Sequence, residues 1–320
     1  MWKTIVRRLL IMIPQLFVLS IILFILAKQM PGDALTGLID PSVSAETLEN
    51  LRIKHGFYDP WHVQYIKWIG NALRGDLGES FRFKIPVSTL VAQRAANTFM
   101  LSLFITVQVY LLAVPLGMIA GRKPGTLRDR GIMIYSYIAF AMPSLVFGLI
   151  NIYLFAYRLR WFPSGGSADV MLDPGTFYYY IDRLYRLLLP SLTLALISTT
   201  GIIHFLRSEI INYSNSDFVL TARSKGVPEN QVYSRHILRN SLLPIASSFG
   251  YTITGLFSGA IFVERIFNYP GMGLLLLEAI SGRDFAVVNA VILFNSMLLI
   301  LGGLLSDIII TIVDPRIRIK

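Results

Sequence analysis

The feature that most constrains this 320-residue chain is the recurrence of apolar runs about one bilayer in length. They fall at residues 9–27, 98–121, 131–157, 187–205, 241–263 and 285–313. A hydrocarbon core of ~30 Å takes about 20 apolar residues per helical crossing. Lipid offers backbone amides no water to bond, so each crossing has to be helical. The first run follows Lys3, Arg7 and Arg8, as a signal peptide would. It exceeds the ~7–15 residues of a signal h-region, and Ile25 fits poorly at the −3 position before Ala27, so it is expected to be a retained first span. The expected fold class is an all-α polytopic membrane protein with six transmembrane helices.

Composition agrees with this. Hydrophobic residues make up 54% of the chain and charged residues 15%, where a soluble domain carries ~25% charged. The absence of cysteine excludes disulfides, thiolate zinc sites and cysteine nucleophiles. The net charge of +10 is not spread evenly. With both termini on one side, that side collects 15 of 29 basic and 6 of 19 acidic residues, against 14 and 13 on the other. Short loops rich in Lys and Arg stay cytoplasmic, so both termini, 122–130 and 206–240 are expected inside. Residues 28–97 then form a long extracytoplasmic region. The basicity reflects topology, and no nucleic-acid partner is expected.

The most informative loop reads Ser216-Asp217-Phe218-Val219-Leu220-Thr221-Ala222-Arg223-Ser224-Lys225-Gly226-Val227-Pro228-Glu229. Ser216 or Asp217 can cap a helix, Lys225 suits its negative end, and Gly226 can take a left-handed stop. Pro228 fits the first turn of a second helix that passes Arg235, His236 and Arg239 into the fifth run. Such a pair can be a solvated connector or a docking element for a cytoplasmic partner. Tethering to two spans argues against DNA binding.

With these residues in view, the chain resembles the oligopeptide/dipeptide class of ABC-importer permeases. Similarity lies in the loop from Asp217 to Gly226, which resembles the EAA motif, and in Arg235-His236-Ile237-Leu238-Arg239-Asn240-Ser241 through Pro244. It extends to Asp59-Pro60, Gln64-Tyr65 and Trp68, to Gly75-Asp76-Leu77-Gly78-Glu79-Ser80, and to Pro86-Val87. Further blocks are Gly259 through Phe267-Asn268-Tyr269-Pro270-Gly271-Met272-Gly273 and Asp314-Pro315-Arg316. Four blocks in order are far more specific than any one alone. One departure is Leu220, at a position where the family tends to carry glutamate or arginine.

The resemblance implies a type I importer permease, in the bacterial or archaeal cytoplasmic membrane, with a cytoplasmic coupling helix. Asp217, Phe218, Leu220, Thr221, Ala222, Arg223, Ser224, Lys225 and Gly226 would engage an ATPase, with Arg223 and Lys225 supplying charge and Phe218 and Leu220 apolar contact. It implies a second homologous permease, two cytoplasmic ATPases and an extracytoplasmic substrate-binding protein, besides membrane lipid. It also implies import of oligopeptides or dipeptides, or of nickel, glutathione or another small solute. This chain is expected to be non-catalytic and to bind no cofactor, with ATP and Mg on the ATPases. No Gly-Lys pair exists in the chain, so it holds no phosphate-cradling loop of its own.

Gly75, Asp76, Gly78, Glu264, Pro270, Gly271 and Gly273 are candidates for docking the binding protein or for an outer gate; a plain helix end with a turn is the competing reading. Trp61, Tyr65 and Trp68 suit interfacial anchoring. Pro143 should kink the third run, with Ser144 placed to satisfy freed backbone groups. Gly255-x-x-x-Gly259 allows close helix approach. His204, Asp307, Asn151, Asn289 and Asn295 are the remaining polar candidates within or beside the spans. An ion-driven carrier is the rival reading. The predicted spans hold one acid, Asp307, and it lies near an end, which poorly supports a proton relay. The four histidines form no His-Glu-x-x-His pattern.

Overall fold

The computed structural model describes residues 2–29, 46, 49–50, 53, 56, 58–246, 249, 252, 255 and 260–313. Among them no strand forms; one isolated antiparallel bridge joins Glu79 and Pro86. The helices are α1 (Trp2–Gln29), α2 (Trp61–Leu73), α3 (Val87–Arg122), α4 (Leu127–Ala141) and α5 (Ser144–Asn151). A π-helical turn, Ile152–Arg158, continues α5. After it come α6 (Phe177–Ser214), α7 (Asp217–Ser224) and α8 (Glu229–Gln231), then a second π-helical turn, Val232–Ile237. The last are α9 (Leu238–Ser241), α10 (Ile261–Ile266), α11 (Met272–Ser281) and α12 (Phe285–Val313).

Among the described residues, α3, α6 and the 285–309 part of α12 are long and apolar enough to cross a membrane. A fourth crossing is possible if the bent pair of α4 with 144–158 is one span. Within α1, Leu10–Leu26 is a shorter apolar helix. Much of 241–263 lies outside the described residues, including Gly259, as do Asp314-Pro315-Arg316 and the side chains of Lys3, Arg7 and Arg8.

The third run does break at Pro143, with a bend of 104°. Backbone bonds close both sides of the break, Met142 N–H to Ile138 O at 3.1 Å and Phe147 N–H to Pro143 O at 3.0 Å. The backbone therefore supplies what the Ser144 hydroxyl was expected to supply. Pro190 sits inside α6 without interrupting it.

The chain divides into two compact units: Phe99–Tyr269 with the chain from Gly302, and Trp2–Thr98 with Pro270–Leu301. In the first, Leu101, Ile105 and Val109 of α3 pack with Leu187 and Ala195 of α6, Ala260 and Tyr269. Further along α6, Leu206 and Ile210 join Val219, Ala222, Val232 and Ile237 in a separate core. In the second unit, Val87, Leu90 and Val91 pack against Met272, Leu275 and Ala279 of α11 and Val287, Val288 and Val291 of α12. There too α2 lies on α1. Tyr65 meets Phe17 and Phe24 edge-on, Trp68 sits beside Phe24, and the Tyr65 and Ser20 hydroxyls bond at 2.8 Å. Tyr65 and Trp68 thus serve intramolecular packing, while Trp61 stays exposed.

Candidate functional site

The loop after α6 folds as a helical hairpin. Ser216 holds the N-cap position with extended backbone, and its carbonyl accepts from Val219 and Leu220. Its hydroxyl donates instead to Tyr213 O at 2.6 Å, tying the cap to the end of α6. Helix α7 ends at a left-handed Gly226, φ +74°. Gly226 N–H reaches Arg223 O at 2.9 Å, and Val227 N–H reaches Ala222 O at 3.2 Å. These are the two bonds of a Schellman stop, and Val227 packs on the same apolar core as Ala222. Pro228 lies just before the second helix rather than in its first turn. Its carbonyl accepts from Gln231 and Val232 while its own ψ of 139° stays extended to complete the chain reversal.

Burial sorts the expected residues into two faces. Val219 and Ala222, three apart on one helix face, point into the core with Leu206 and Ile210. The π turn matters here. Val232 and Ile237 are five apart, which an α-helix would spread around its circumference, yet both are fully buried in this core. The opposite face leaves Asp217, Phe218, Leu220, Thr221, Ser224 and Lys225 exposed. Two large apolar side chains, Phe218 (38% exposed) and Leu220 (51%), therefore face outward on an eight-residue helix.

Arg223 behaves differently from the expectation that it presents free charge. Its Nε donates to Glu229 Oε1 at 2.7 Å, and its Nη1 donates to Ser214 O at 3.2 Å. It clasps the hairpin shut across the turn. The guanidinium hydrogen bond holds the Glu229 carboxyl below its ordinary range, and the same bond raises Arg223. Lys225 is left as the exposed cation of this helix end.

The hairpin is seated on the ends of the long helices. Arg122, at the end of α3, donates to Asn230 Oδ1 at 2.7 Å and stacks on Tyr233, 5.0 Å from its ring centroid. α3 and α6 approach closely here. A Cβ on Gly121 would meet Ile210 Cβ at 2.8 Å, and one on Gly117 would meet Leu206 Cβ at 3.0 Å. The turn after α3 is locked to α6 as well. Arg207 Nε and Nη2 donate to the two Asp129 carboxylate oxygens at 2.7 and 2.9 Å, and Gly125 N–H adds a third bond at 2.7 Å. Sequence reasoning missed this lock because Asp129 and Arg207 are 78 residues apart. Gly117-x-x-x-Gly121 was a legible signal of the same kind as Gly255-x-x-x-Gly259. Of the other polar candidates, His204 lies 5.3 Å from the Tyr137 ring, and Asn151 and Asn289 are buried.

The outer candidates fall in both units. Gly75 (φ +83°) ends α2 by the same Schellman pattern, with Gly75 N–H to Ala72 O and Asp76 N–H to Asn71 O, both at 3.0 Å. Asp76 Oδ1 then accepts from Gly78 N–H, and Val87 N–H closes onto Gly78 O, forming a short hairpin over 78–87. The hairpin is fastened by Ser80, whose Oγ donates to the buried Asp284 Oδ2 at 2.6 Å. Pro270, Gly271 and Gly273 enter α11, where Asn97 holds Pro270 O at 2.9 Å and Thr98 Oγ1 accepts from Met272 N–H at 2.8 Å. Within the other unit, Glu264 is fully buried and its carbonyl accepts from Tyr269 N–H at 2.8 Å.

The α7 hairpin thus shows an exposed face with two large apolar side chains and is packed on α6 and hydrogen-bonded to the end of α3, and no clustered acid, base or nucleophile stands on α7. Residues 113–319 match the family model of the binding-protein-dependent transport system inner membrane component, and residues 1–104 match the N-terminal model of that system's membrane component. The chain is 38% identical over 315 residues, 98% of each protein, to the oligopeptide transport system permease protein AppB of Bacillus subtilis. It is 36% identical, with 98% of each covered, to a putative peptide permease protein of Brucella ovis. With the glutathione transport system permease protein GsiC of Escherichia coli it shares 32% identity over the full length of both. A chain of the methionine ABC transporter MetNI, solved in inward-facing conformations, superposes with a TM-score of 0.54 at 14% identity. It covers 70% of this chain and 96% of that one.

Proposed function

Because the chain belongs to the binding-protein-dependent transport system inner membrane components, and so is a non-catalytic permease of an ABC importer, we propose that it carries peptides and that α7 is its ATPase-coupling helix. Full-length similarity to peptide permeases supports the cargo. The single observation that favours the coupling role is the division of α7 into a face buried on the α6 core and an exposed face bearing Phe218 and Leu220. With Leu220 in place of a charged residue, docking rests on shape and apolar contact, with Asp217, Thr221, Ser224 and Lys225 around it. Arg223, Ala222 and Gly226 act from inside by holding the hairpin's form.

In this reading the permease pairs with a second homologous permease, two cytoplasmic ATPases that carry ATP and Mg, and an extracytoplasmic binding protein. Closure of the ATPases pushes α7, and the rigid attachment of α7 to α3 and α6 biases the bundle between two arrangements. Gly75, Asp76, Gly78, Glu264, Pro270, Gly271 and Gly273 are proposed to meet the binding protein or to gate the path, the first three from an exposed turn and Glu264, Gly271 and Gly273 from buried positions. Glutathione is the second reading of the cargo, favoured by the full-length relative that carries that name.

The test is uptake in a strain lacking the permease and complemented with it. ATP-dependent accumulation of labelled tri- to pentapeptides, together with co-purification of ATPase subunits, is the expected result. Accumulation of glutathione or nickel in place of peptides overturns the cargo. Co-purification unchanged by Phe218→Ser with Leu220→Ser overturns the docking face.

A further inference from the structure

A cleft of about 390 Å³ opens where α4, its bend into α5 and the middle of α6 meet. Gly131, Ile134, Tyr135, Ile138 and Met142 line it from α4 and its end, and Leu196 lines it from α6. The size lies within the usual ~300–1,000 Å³ of small-ligand sites. Its one hydroxyl on that wall, from Tyr135, is turned away into a hydrogen bond with Leu196 O at 2.7 Å. What remains is hydrocarbon, in helices of membrane-spanning character.

The lining positions 131, 134, 135, 138, 139 and 142 form one stripe of α4. Extended back one turn, the stripe passes through Leu127 and Arg128, and Arg130 flanks it four residues before Ile134. Arg128, Arg130 and the nearby Lys123 are exposed, as is Leu127 at 86%. The one acid of this turn, Asp129, is turned to the other side and neutralised by Arg207. A cationic rim therefore stands at one end of an apolar furrow. The furrow runs about 16 Å from Gly131 to Met142 at 1.5 Å per residue, roughly half of the ~30 Å hydrocarbon core, or one leaflet.

We propose that this cleft holds one anionic phospholipid, its phosphate beside Arg128 with Arg130 and Lys123 adding positive charge at the rim, and one acyl chain along the furrow toward the Pro143 bend. Basic rims beside membrane helices recognise anionic headgroups in this way. The charge favours an acidic headgroup over phosphatidylcholine, and the furrow distinguishes a seated lipid from a diffuse ionic atmosphere. A lipid wedged at the bend would bias the angle between α4 and α5.

The test uses the assembled transporter, equilibrated with mixed phosphatidylcholine and phosphatidylglycerol vesicles, extracted, and weighed by native mass spectrometry. The wild type should retain one phosphatidylglycerol in strong preference to phosphatidylcholine. Arg128→Gln with Arg130→Gln should lower that preference about 30-fold, as expected for two cations at an anionic surface. Gly131→Leu leaves the charges intact and should abolish retention by filling the furrow, while Gly131→Ala keeps it. An added Cβ at Gly131 has nothing within 4 Å, so these variants should assemble, as thermal unfolding would verify. Undiminished retention in Gly131→Leu overturns the site and leaves only nonspecific charge. Photo-crosslinking from position 138 to a protein chain instead of lipid also overturns it, and assigns the cleft to a subunit interface.

Discussion

Arg207 and Asp129 face each other as two parallel hydrogen bonds, Nε to Oδ1 at 2.7 Å and Nη2 to Oδ2 at 2.9 Å, with the Asp129 side chain only 4% exposed. Fork-on-fork pairing is the strong form of the arginine–carboxylate contact. Losing one partner of a buried pair strands the other charge.

Arg207→Met should therefore cost about 3 kcal/mol, more than Asp129→Asn, because the aspartate is the more deeply buried partner. Thermal unfolding of the purified transporter checks the order of the two. The double variant should be less damaged than Arg207→Met alone, and simple additivity would show that the pair does not act as a unit.

At Gly226 the difficulty is backbone, not space. The residue sits at φ +74° with nothing within 4 Å of an added Cβ, so an L side chain meets only the left-handed penalty of ~1–2 kcal/mol. Gly226→Asn should be tolerated and Gly226→Val should not. Transport per ATP hydrolysed should fall in Gly226→Val while membrane insertion and expression persist.

Gly121 is the reverse case. Its added Cβ would meet Ile210 Cγ2 at 2.9 Å and the Arg207 carbonyl at 3.1 Å, so Gly121→Ala overpacks the α3–α6 contact and should cost ~1–3 kcal/mol. Unfolding of the purified protein should show this loss, with Gly131→Ala, which meets open space, as the neutral reference.

The Arg223–Glu229 clasp carries a pH dependence whose sign follows from the lowered Glu229 carboxyl. A group depressed in the folded state contributes above its unfolded value, here 4.5, and loses that contribution as pH falls through the folded one. Hydrogen exchange over residues 216–229 should be protected alike at pH 6 and pH 8 after correction for intrinsic rates. Protection should decline only below the ordinary glutamate range, and Glu229→Gln should reproduce the acid behaviour at neutral pH.

Ser80 donates the shortest hydrogen bond to Asp284, a carboxylate 1% exposed at the start of α12 that also accepts from Arg82 N–H at 3.3 Å and Val287 N–H at 3.4 Å. Ser80→Ala removes that donor and should cost ~1–3 kcal/mol. Faster proteolysis within 78–87, with the rest of the chain unaffected, is the expected readout.

What the sequence made legible is local. Gly226 could be read as a left-handed stop because a glycine after a short helix has few other reasons to be there, and Pro143 marked its own bend. Ser216 was readable as a cap position but not in its hydrogen bond, since a serine hydroxyl can accept from an amide ahead of it or donate to a carbonyl behind it, and here it donates to Tyr213 O. Arg223 looked like surface charge because Glu229 pairs with it only after the chain reverses. The long-range pairs were beyond reach for a stronger reason. Ser80 and Asp284 are 204 residues apart, and nothing in either local pattern names the other. The apolar runs fixed helices, but not that α4 and α5 would meet at 104° and leave a furrow between them and α6.

At 38 residues, α6 is a rod of about 57 Å, nearly twice the thickness of the hydrocarbon it crosses. Pivoting a stiff rod of that length by 5° about its midpoint sweeps each tip through about 2.5 Å, with no residue changing conformation. Small nudges where the helical hairpin is moored can thus arrive at the opposite membrane face as movements the size of a water molecule. The leverage resides in the length of one helix.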